Sequence, residues 1–253
     1  MILITETKSN YLNKNIPYLS NAVIYEYDMN SGGFSILRSK KVFSKEVEEK
    51  LLNMDKLKRN IYIGKLMRKD SRISEIVIEG FKEYLTKFCK LNDIEDKDIL
   101  SIKKDAIFII NKKCKHLKIN DYVSLKEANK YTSYLYVNEI EFYNNIMKMD
   151  VKGLSDEIVE SNAFIGEIRK IMKLLEKNNE MYLFRHLRKL QKDYLNKDMD
   201  KEVYKELNRN NSYVIEMFSS KFHYNDVDDD LVEKLFIDYN YFAYINPIVR
   251  MLV

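Results

Sequence analysis

Residues 99–111 read Ile99-Leu100-Ser101-Ile102-Lys103-Lys104-Asp105-Ala106-Ile107-Phe108-Ile109-Ile110-Asn111. Two apolar runs flank a short charged centre, the pattern of a strand pair. Asp105 opens the second run, where a carboxylate is costly to bury without a partner or a metal. Upstream, residues 21–30 (NAVIYEYDMN) and 34–38 (FSILR) also read as extended, with Ser31-Gly32-Gly33 as the break between them. Asp28 thus ends another strand-like segment, and Glu26 shares its face by alternation. Two carboxylates on adjacent strands can hold two divalent cations about 3.5–4 Å apart. That pair clamps the attacking and leaving oxygens of a phosphoryl displacement.

Helical patterns fill the space between the two aspartates. Ser44 reads as the N-cap of a helix through Asn53, with Glu46, Glu48 and Glu49 in its first turns. A second helix, 55–68, is basic on one side and apolar at Leu57, Ile61 and Leu66. A third, 71–91, carries Ile73, Ile76, Val77, Phe81, Leu85 and Phe88 at helical spacing. After residue 111 comes a basic segment (Lys112, Lys113, Lys115, His116, Lys118), then a Tyr-rich extended region over 119–152. Beyond Lys152-Gly153 the pattern is helical, at 155–178, 180–195, 199–219 and 228–238. The expected organisation is an α+β part, 1–153, with a helical insert at 44–92, followed by a helical part, 154–253.

Composition narrows the class. Six glycines and two prolines in 253 residues argue against an all-β sandwich and for a helix-rich α+β fold. A net charge of +4 is compatible with nucleic-acid binding without diagnosing it. Cys89, Cys114 and the three histidines show no zinc-ligand spacing, so a reducing compartment is expected. The N-terminal residues lack the basic-then-apolar pattern of a signal peptide, and no apolar run approaches the roughly 18 residues a membrane span needs. A cytoplasmic protein with no membrane partner is the expectation.

The order and spacing of these segments resemble the palm, fingers and thumb of family B DNA polymerases, in a strongly shortened, phage-like form. The family's first palm motif is D-x-x-S-L-Y. Here Asp28-Met29-Asn30-Ser31-Gly32-Gly33 keeps the Asp and the Ser. The fingers motif is K-x-x-x-N-S-x-Y-G, and Lys56, Asn60 and Gly64 fall in register, with Ile61 and Ile63 replacing the Ser and Tyr. The second palm motif is D-T-D-S, of which Lys103-Lys104-Asp105-Ala106 retains the second Asp. Lys130-Tyr131 is similar to the family's Lys/Tyr primer-strand motif, and Val151-Lys152-Gly153 to the K-G that follows it. The resemblance covers residues 20–155. Nothing matches a proofreading exonuclease.

The resemblance implies a template-directed nucleotidyltransferase, a small polymerase or primase-like enzyme. Asp28 and Asp105 would be its metal ligands for Mg²⁺ or Mn²⁺. Lys56, Arg59, Asn60 and Gly64 would meet an incoming nucleoside triphosphate. Gly33, standing where the family has a bulky aromatic under the sugar, implies an open sugar pocket unless Phe34 swings into the vacated place. Lys103, Lys104, Lys112, Lys113, Lys130, Tyr131 and Lys152 would follow a primer–template backbone, where charge and stacking supply affinity. Replication or transcription proteins are further implied partners. Basic residues on 169–192 read as a solvated helix face, and Asp226, Asp228, Asp229 and Asp230 as the start of a helix. The alternative from another class is a palm-derived nucleic-acid-binding or replication-accessory protein without turnover, and the degraded second motif favours it. A metal-dependent nuclease is a third reading.

Overall fold

The computed structural model describes residues 10–208 and 239–253. The part from 209 onward of the helix expected at 199–219, the helix expected at 228–238 and the acidic run at 226–230 lie outside the described residues. The chain is α+β, with two antiparallel sheets and helices in two compact units. The first unit comprises residues 1–15 and 23–130, the second residues 16–22 and 131–253. The sequence placed a boundary at 153. The contacts divide the chain at Lys130/Tyr131 instead, because the later strands pack with the C-terminal helices rather than with the first sheet.

In the first unit, β1 (Asn10–Leu12), β3 (Ile24–Met29), β4 (Ile99–Lys103), β5 (Ala106–Ile110) and β6 (Leu125–Tyr131) form a sheet in the order β1-β4-β5-β3-β6. The expected strand pair at 99–111 is the β4–β5 hairpin. Lys104 adopts φ 54° at its turn, a left-handed conformation that is uncommon away from glycine. Register then sorts the side chains. Tyr25, Tyr27, Ile107 and Ile109 fall on one face, while Glu26, Asp28, Ala106 and Phe108 fall on the other.

Four helices follow β3: α1 (Gly32–Ser39), α2 (Lys45–Leu52), α3 (Lys56–Lys69) and α4 (Ser71–Leu91). The side chains of Ser44, Asp55 and Asp70 accept from the amides of Val47, Lys58 and Arg72, each satisfying an otherwise orphaned helix donor. Tyr84, Leu85, Phe88 and Cys89 of α4 bury against Tyr27, Met29, Ile107 and Ile109. A second cluster of Phe34, Leu37, Leu51, Ile63 and Val77 holds the helices to one another. Gly80 lets α4 lie close to α1, since a Cβ there would lie 2.3 Å from Ile36 Cγ2.

One segment departs from its expected structure. Residues 34–38 read as extended but form the middle of α1. A five-residue apolar run fits either state, and packing decides. Ser31 turns the chain through φ 48° directly after β3. Phe34 and Leu37 then bury against α2, α3 and α4 at helical spacing.

In the second unit, β2 (Tyr18–Leu19), β7 (Ser133–Val137), β8 (Ile140–Asn144) and β9 (Met149–Lys152) form a sheet in that order. The helix expected at 155–178 is two, α5 (Asp156–Ser161) and α6 (Phe164–Glu176). Asn162 interrupts it by accepting from the Phe164 amide through its side chain. α7 (Glu180–Leu195) matches its expected span, whereas the start of the 199–219 pattern is only a 3₁₀ turn, Lys201–Tyr204. The C-terminal α8 (Asn246–Leu252) completes the core, in which Leu135, Phe142, Phe164, Ile168, Leu187, Tyr194, Tyr244 and Ile248 are buried.

Candidate functional site

Asp28 and Asp105 come together because β3 lies beside β5. Asp28 is the register partner of Ala106, one residue beyond Asp105, and the Met29 amide donates to the Asp105 carbonyl at 3.0 Å. Burial pushes the Asp28 carboxyl above its ordinary value, and the charge of Asp105 pushes it further. Lys126 and Lys56 pull the other way, and Glu26 adds to the rise. Burial also raises Asp105, against the pull of a backbone hydrogen bond, Lys104 and Lys56. Both are therefore partly buried carboxylates, and Asp28 lies in the field of Asp105.

The first turn of α1 forms one wall. A Cβ on Gly32 would stand 3.2 Å from Asp105 Cβ, 3.4 Å from its Oδ2 and 2.7 Å from Phe81 Cε1. Glycine at 32 is thus what lets the Asp105 carboxylate lie against the helix. Gly33 was the expected pocket residue, yet its missing side chain points elsewhere. A Cβ there would meet Ile63 Cγ2 at 3.4 Å and Val77 Cγ1 at 3.9 Å, inside the helical layer. Phe34 is buried beside Phe43, with the Arg59 guanidinium 4.7 Å above its ring, so it is a core residue and not a substitute gate. α1 forms directly after the strand, leaving no bulge to swing the ring elsewhere.

α3 supplies charge. Lys56 lies at its exposed N-terminal end, and its field reaches both carboxylates. Asn60, one turn along, is exposed. Arg59 is half-buried and donates to Ser31 Oγ at 3.1 Å, tying α3 to the start of α1. Gly64 has open space where a Cβ would be, so no close approach within the chain requires glycine there.

The expected backbone-binding residues meet different fates. Lys103 faces Ala106 across the hairpin, with Asp28 on that residue's other side, and Lys104 is exposed at the turn. Lys112 lies 3.7 Å from Asp98, Lys113 lies 3.7 Å from Glu127, and Lys130 stands over the Tyr25 ring. Tyr131 is fully buried, with its hydroxyl on Asp150 and its ring 5.2 Å from that of Tyr143, so it offers no face for a base to stack on. Tyr134 is buried as well. An aromatic beside a lysine signals stacking only when it faces solvent, and these fill the second unit's sheet layer. Lys152, half-buried, ends β9 in that unit.

Sequence reading missed Lys126, whose Nζ lies 3.9 Å from Asp28 Oδ2, and Asn129, whose side-chain amide donates to Glu26 Oε2 at 2.5 Å. It also missed Ser124. The backbone carbonyl and hydroxyl of Ser124 accept from the Asn30 amide and side chain, anchoring the turn between Asp28 and α1. All three lie in or beside β6, whose LKEANKY sequence shows no clean alternation. Its pairing with β3 is a tertiary outcome.

Carboxylates are the hard-oxygen donors that Mg²⁺ or Mn²⁺ takes; burial raises both of these, the charge of Asp105 raises Asp28 further, and a cation beside them would offset that charge. Among the described residues no group of three or more His, Cys, Asp or Glu side chains is arranged to hold a metal ion. The fit is therefore that of a two-carboxylate donor set.

The sequence profile of the bacteriophage PBS1 gene 130 protein matches residues 3–253. The chain belongs to that phage protein family. The match spans both compact units and every residue of the gene 130 family member discussed above. No curated protein matches it in sequence. Among its described residues, no helix is long and apolar enough to cross a membrane.

Proposed function

We propose that the chain is a template-directed nucleotidyltransferase with a reduced palm of the family B polymerase type. In this reading the first unit's sheet is the palm, α2–α4 are the fingers, and the second unit's helices are the thumb. The observation that supports it is the meeting of Asp28, at the end of β3, with Asp105, at the β4–β5 turn. These are the aspartates at which the sequence resembles the first and second palm motifs. Asp28 and Asp105 would hold Mg²⁺ or Mn²⁺, which when bound supplies the Lewis acidity that activates a primer 3′-hydroxyl and neutralises the leaving pyrophosphate. Lys56, exposed and felt by both carboxylates, would draw the triphosphate toward them. Asn60 and Gly64 continue that strip of α3. Lys103 and Lys104 would meet phosphates of the nucleic acid.

A specific contact favours a second reading, a palm-derived nucleic-acid-binding or replication-accessory protein without turnover. Lys126 already sets a positive charge beside Asp28, and Lys103 stands where the second motif would carry its first Asp. Primer extension separates the two. Full-length chain, primed and unprimed templates and Mg²⁺ or Mn²⁺ are supplied with dNTPs or NTPs in turn. Metal-dependent incorporation that disappears in Asp105→Asn is expected. Template binding without incorporation under every condition would leave the accessory role, and metal-dependent cleavage without nucleotides would indicate a nuclease.

A further inference from the structure

α3 carries three strips, of which the core and the carboxylate site account for two. Ile63, Leu66 and Met67 face the helical core, and the charge of Lys56 is felt by both carboxylates. On the outward side, Leu57, Ile61, Gly64 and Arg68 recur at i, i+4, i+7 and i+11, one continuous seam. Leu57 is 70% exposed and Ile61 50% exposed. A single exposed apolar residue is ordinary, but two large aliphatics one turn apart on an otherwise charged helix face need a reason. The seam also has a recess, because Gly64 leaves open space where a side chain would stand.

The charges that α3 itself sets beside the seam are basic: Lys58, Lys65 and Lys69 line one edge and Arg68 ends it. The acidic residues at the two ends of the helix are occupied, Asp55 in capping α3 and pairing with Lys58 at 3.2 Å and Asp70 in pairing with Arg72 at 3.0 Å. A second copy of the chain would bring the same basic flanks into opposition. A nucleic-acid backbone would satisfy the lysines but leave the two most exposed aliphatic groups without a ring to stack on or a surface to bury against. An amphipathic helix with apolar residues along its centre and carboxylates along its edges satisfies both features.

We infer that the outward face of α3 is a docking surface for an acidic-flanked amphipathic helix of a partner protein, with Leu57 and Ile61 as anchors, Gly64 as the recess and Lys58, Lys65 and Arg68 as the charged rim. This surface is distinct from the carboxylate pair and does not depend on catalysis.

The probe is a synthetic helical peptide with leucines at i, i+4, i+7 and i+11 flanked by glutamates. It is compared with the same peptide flanked by lysines and with a single-stranded oligothymidylate. Binding to the full chain is followed by fluorescence anisotropy, and the contact is located by methyl NMR shifts of Leu57 and Ile61. The acidic peptide should bind at least about tenfold more tightly than the basic one and shift both methyls. Leu57→Asp/Ile61→Asp should weaken it by about tenfold or more with an unchanged circular dichroism spectrum, and Lys58→Glu/Lys65→Glu/Arg68→Glu should reverse the preference between the peptides. Equal binding of the two peptides would overturn the inference, as would shifts confined to other residues. Competition by the oligonucleotide at the same methyls would assign the face to nucleic acid instead. Self-association in sedimentation that is lost in Leu57→Asp/Ile61→Asp would assign it to a second copy.

Discussion

The backbone amide of Met29 donates to the carbonyl of Asp105 at 3.0 Å, so the end of β3 is fastened to the β4–β5 turn by main-chain atoms alone. This bond and the strand register set Asp28 and Asp105 side by side through main-chain atoms. Removing their charge should therefore separate function from stability.

Asp105→Asn should abolish metal-dependent incorporation and at the same time stabilise the fold at neutral pH. Burial raises the folded-state pKa of Asp105 above its ordinary 3.8. The folded protein thus holds that proton to higher pH than the unfolded chain, and the ionised group costs stability above its folded pKa. The cost disappears as pH falls below the unfolded value. A higher Tm than wild type at pH 7 is expected, with the difference shrinking as pH falls below the ordinary carboxylate range. Asp28 should behave alike, since burial and Asp105 raise it in the same direction. Thermal melts of wild type and both variants across pH check the sign. A variant less stable than wild type at pH 7 would show that the carboxylate is a structural partner.

Added Mg²⁺ or Mn²⁺ should raise the Tm of the wild type and leave Asp105→Asn unmoved, because the proposed cation site loses one of its two carboxylates in the variant. Stabilisation of about 2.7 kcal/mol is reached at a hundredfold excess over Kd. Equal shifts in both proteins would place the cation elsewhere.

Gly32→Ala should be damaging and Gly64→Ala harmless. The first drives a methyl to within 2.7 Å of Phe81 and 3.2 Å of Asp105 Cβ, whereas the second enters open space on an exposed helix. Losses of about 1–3 kcal/mol for the former and a gain of about 0.5–1 kcal/mol for the latter follow from overpacking and helix propensity. Urea midpoints measured on the pair test the contrast.

Lys56→Ala should raise the KM for the nucleoside triphosphate by about tenfold while changing kcat little, since a lysine point charge serves phosphate binding. Steady-state kinetics decide it. An unchanged KM would reduce α3 to scaffold.

Phe34→Leu should cost stability without altering the choice between dNTP and NTP. The ring is 4% exposed and packs with Phe43 and Arg59 in the helical core. A loss of about 1–3 kcal/mol with an unchanged dNTP/NTP ratio of kcat/KM is expected. A shifted ratio would restore the ring to the sugar pocket.

The sequence by itself determined the elements whose signals are local. The hairpin at 99–111 was legible because apolar runs flanking a charged turn have few alternatives. The helices at 44–53, 55–68 and 71–91 were legible from their apolar periodicity, and the first also from Ser44 standing where a cap belongs; the caps at Asp55 and Asp70 emerged with the structure. That Asp28 and Asp105 stand on neighbouring strands agrees with the strand-end settings read from the sequence. Residues 34–38 were not, because a five-residue run carries no period, and Ser31 and the facing helices settle its state. Tertiary structure alone decided which glycine serves the carboxylate. Gly32 and Gly33 are identical in sequence terms, but helical rotation points one at Asp105 and the other at Ile63. It also placed Lys126 beside Asp28 and buried Tyr131, because side-chain direction and strand pairing depend on the register between segments that no stretch of sequence specifies alone.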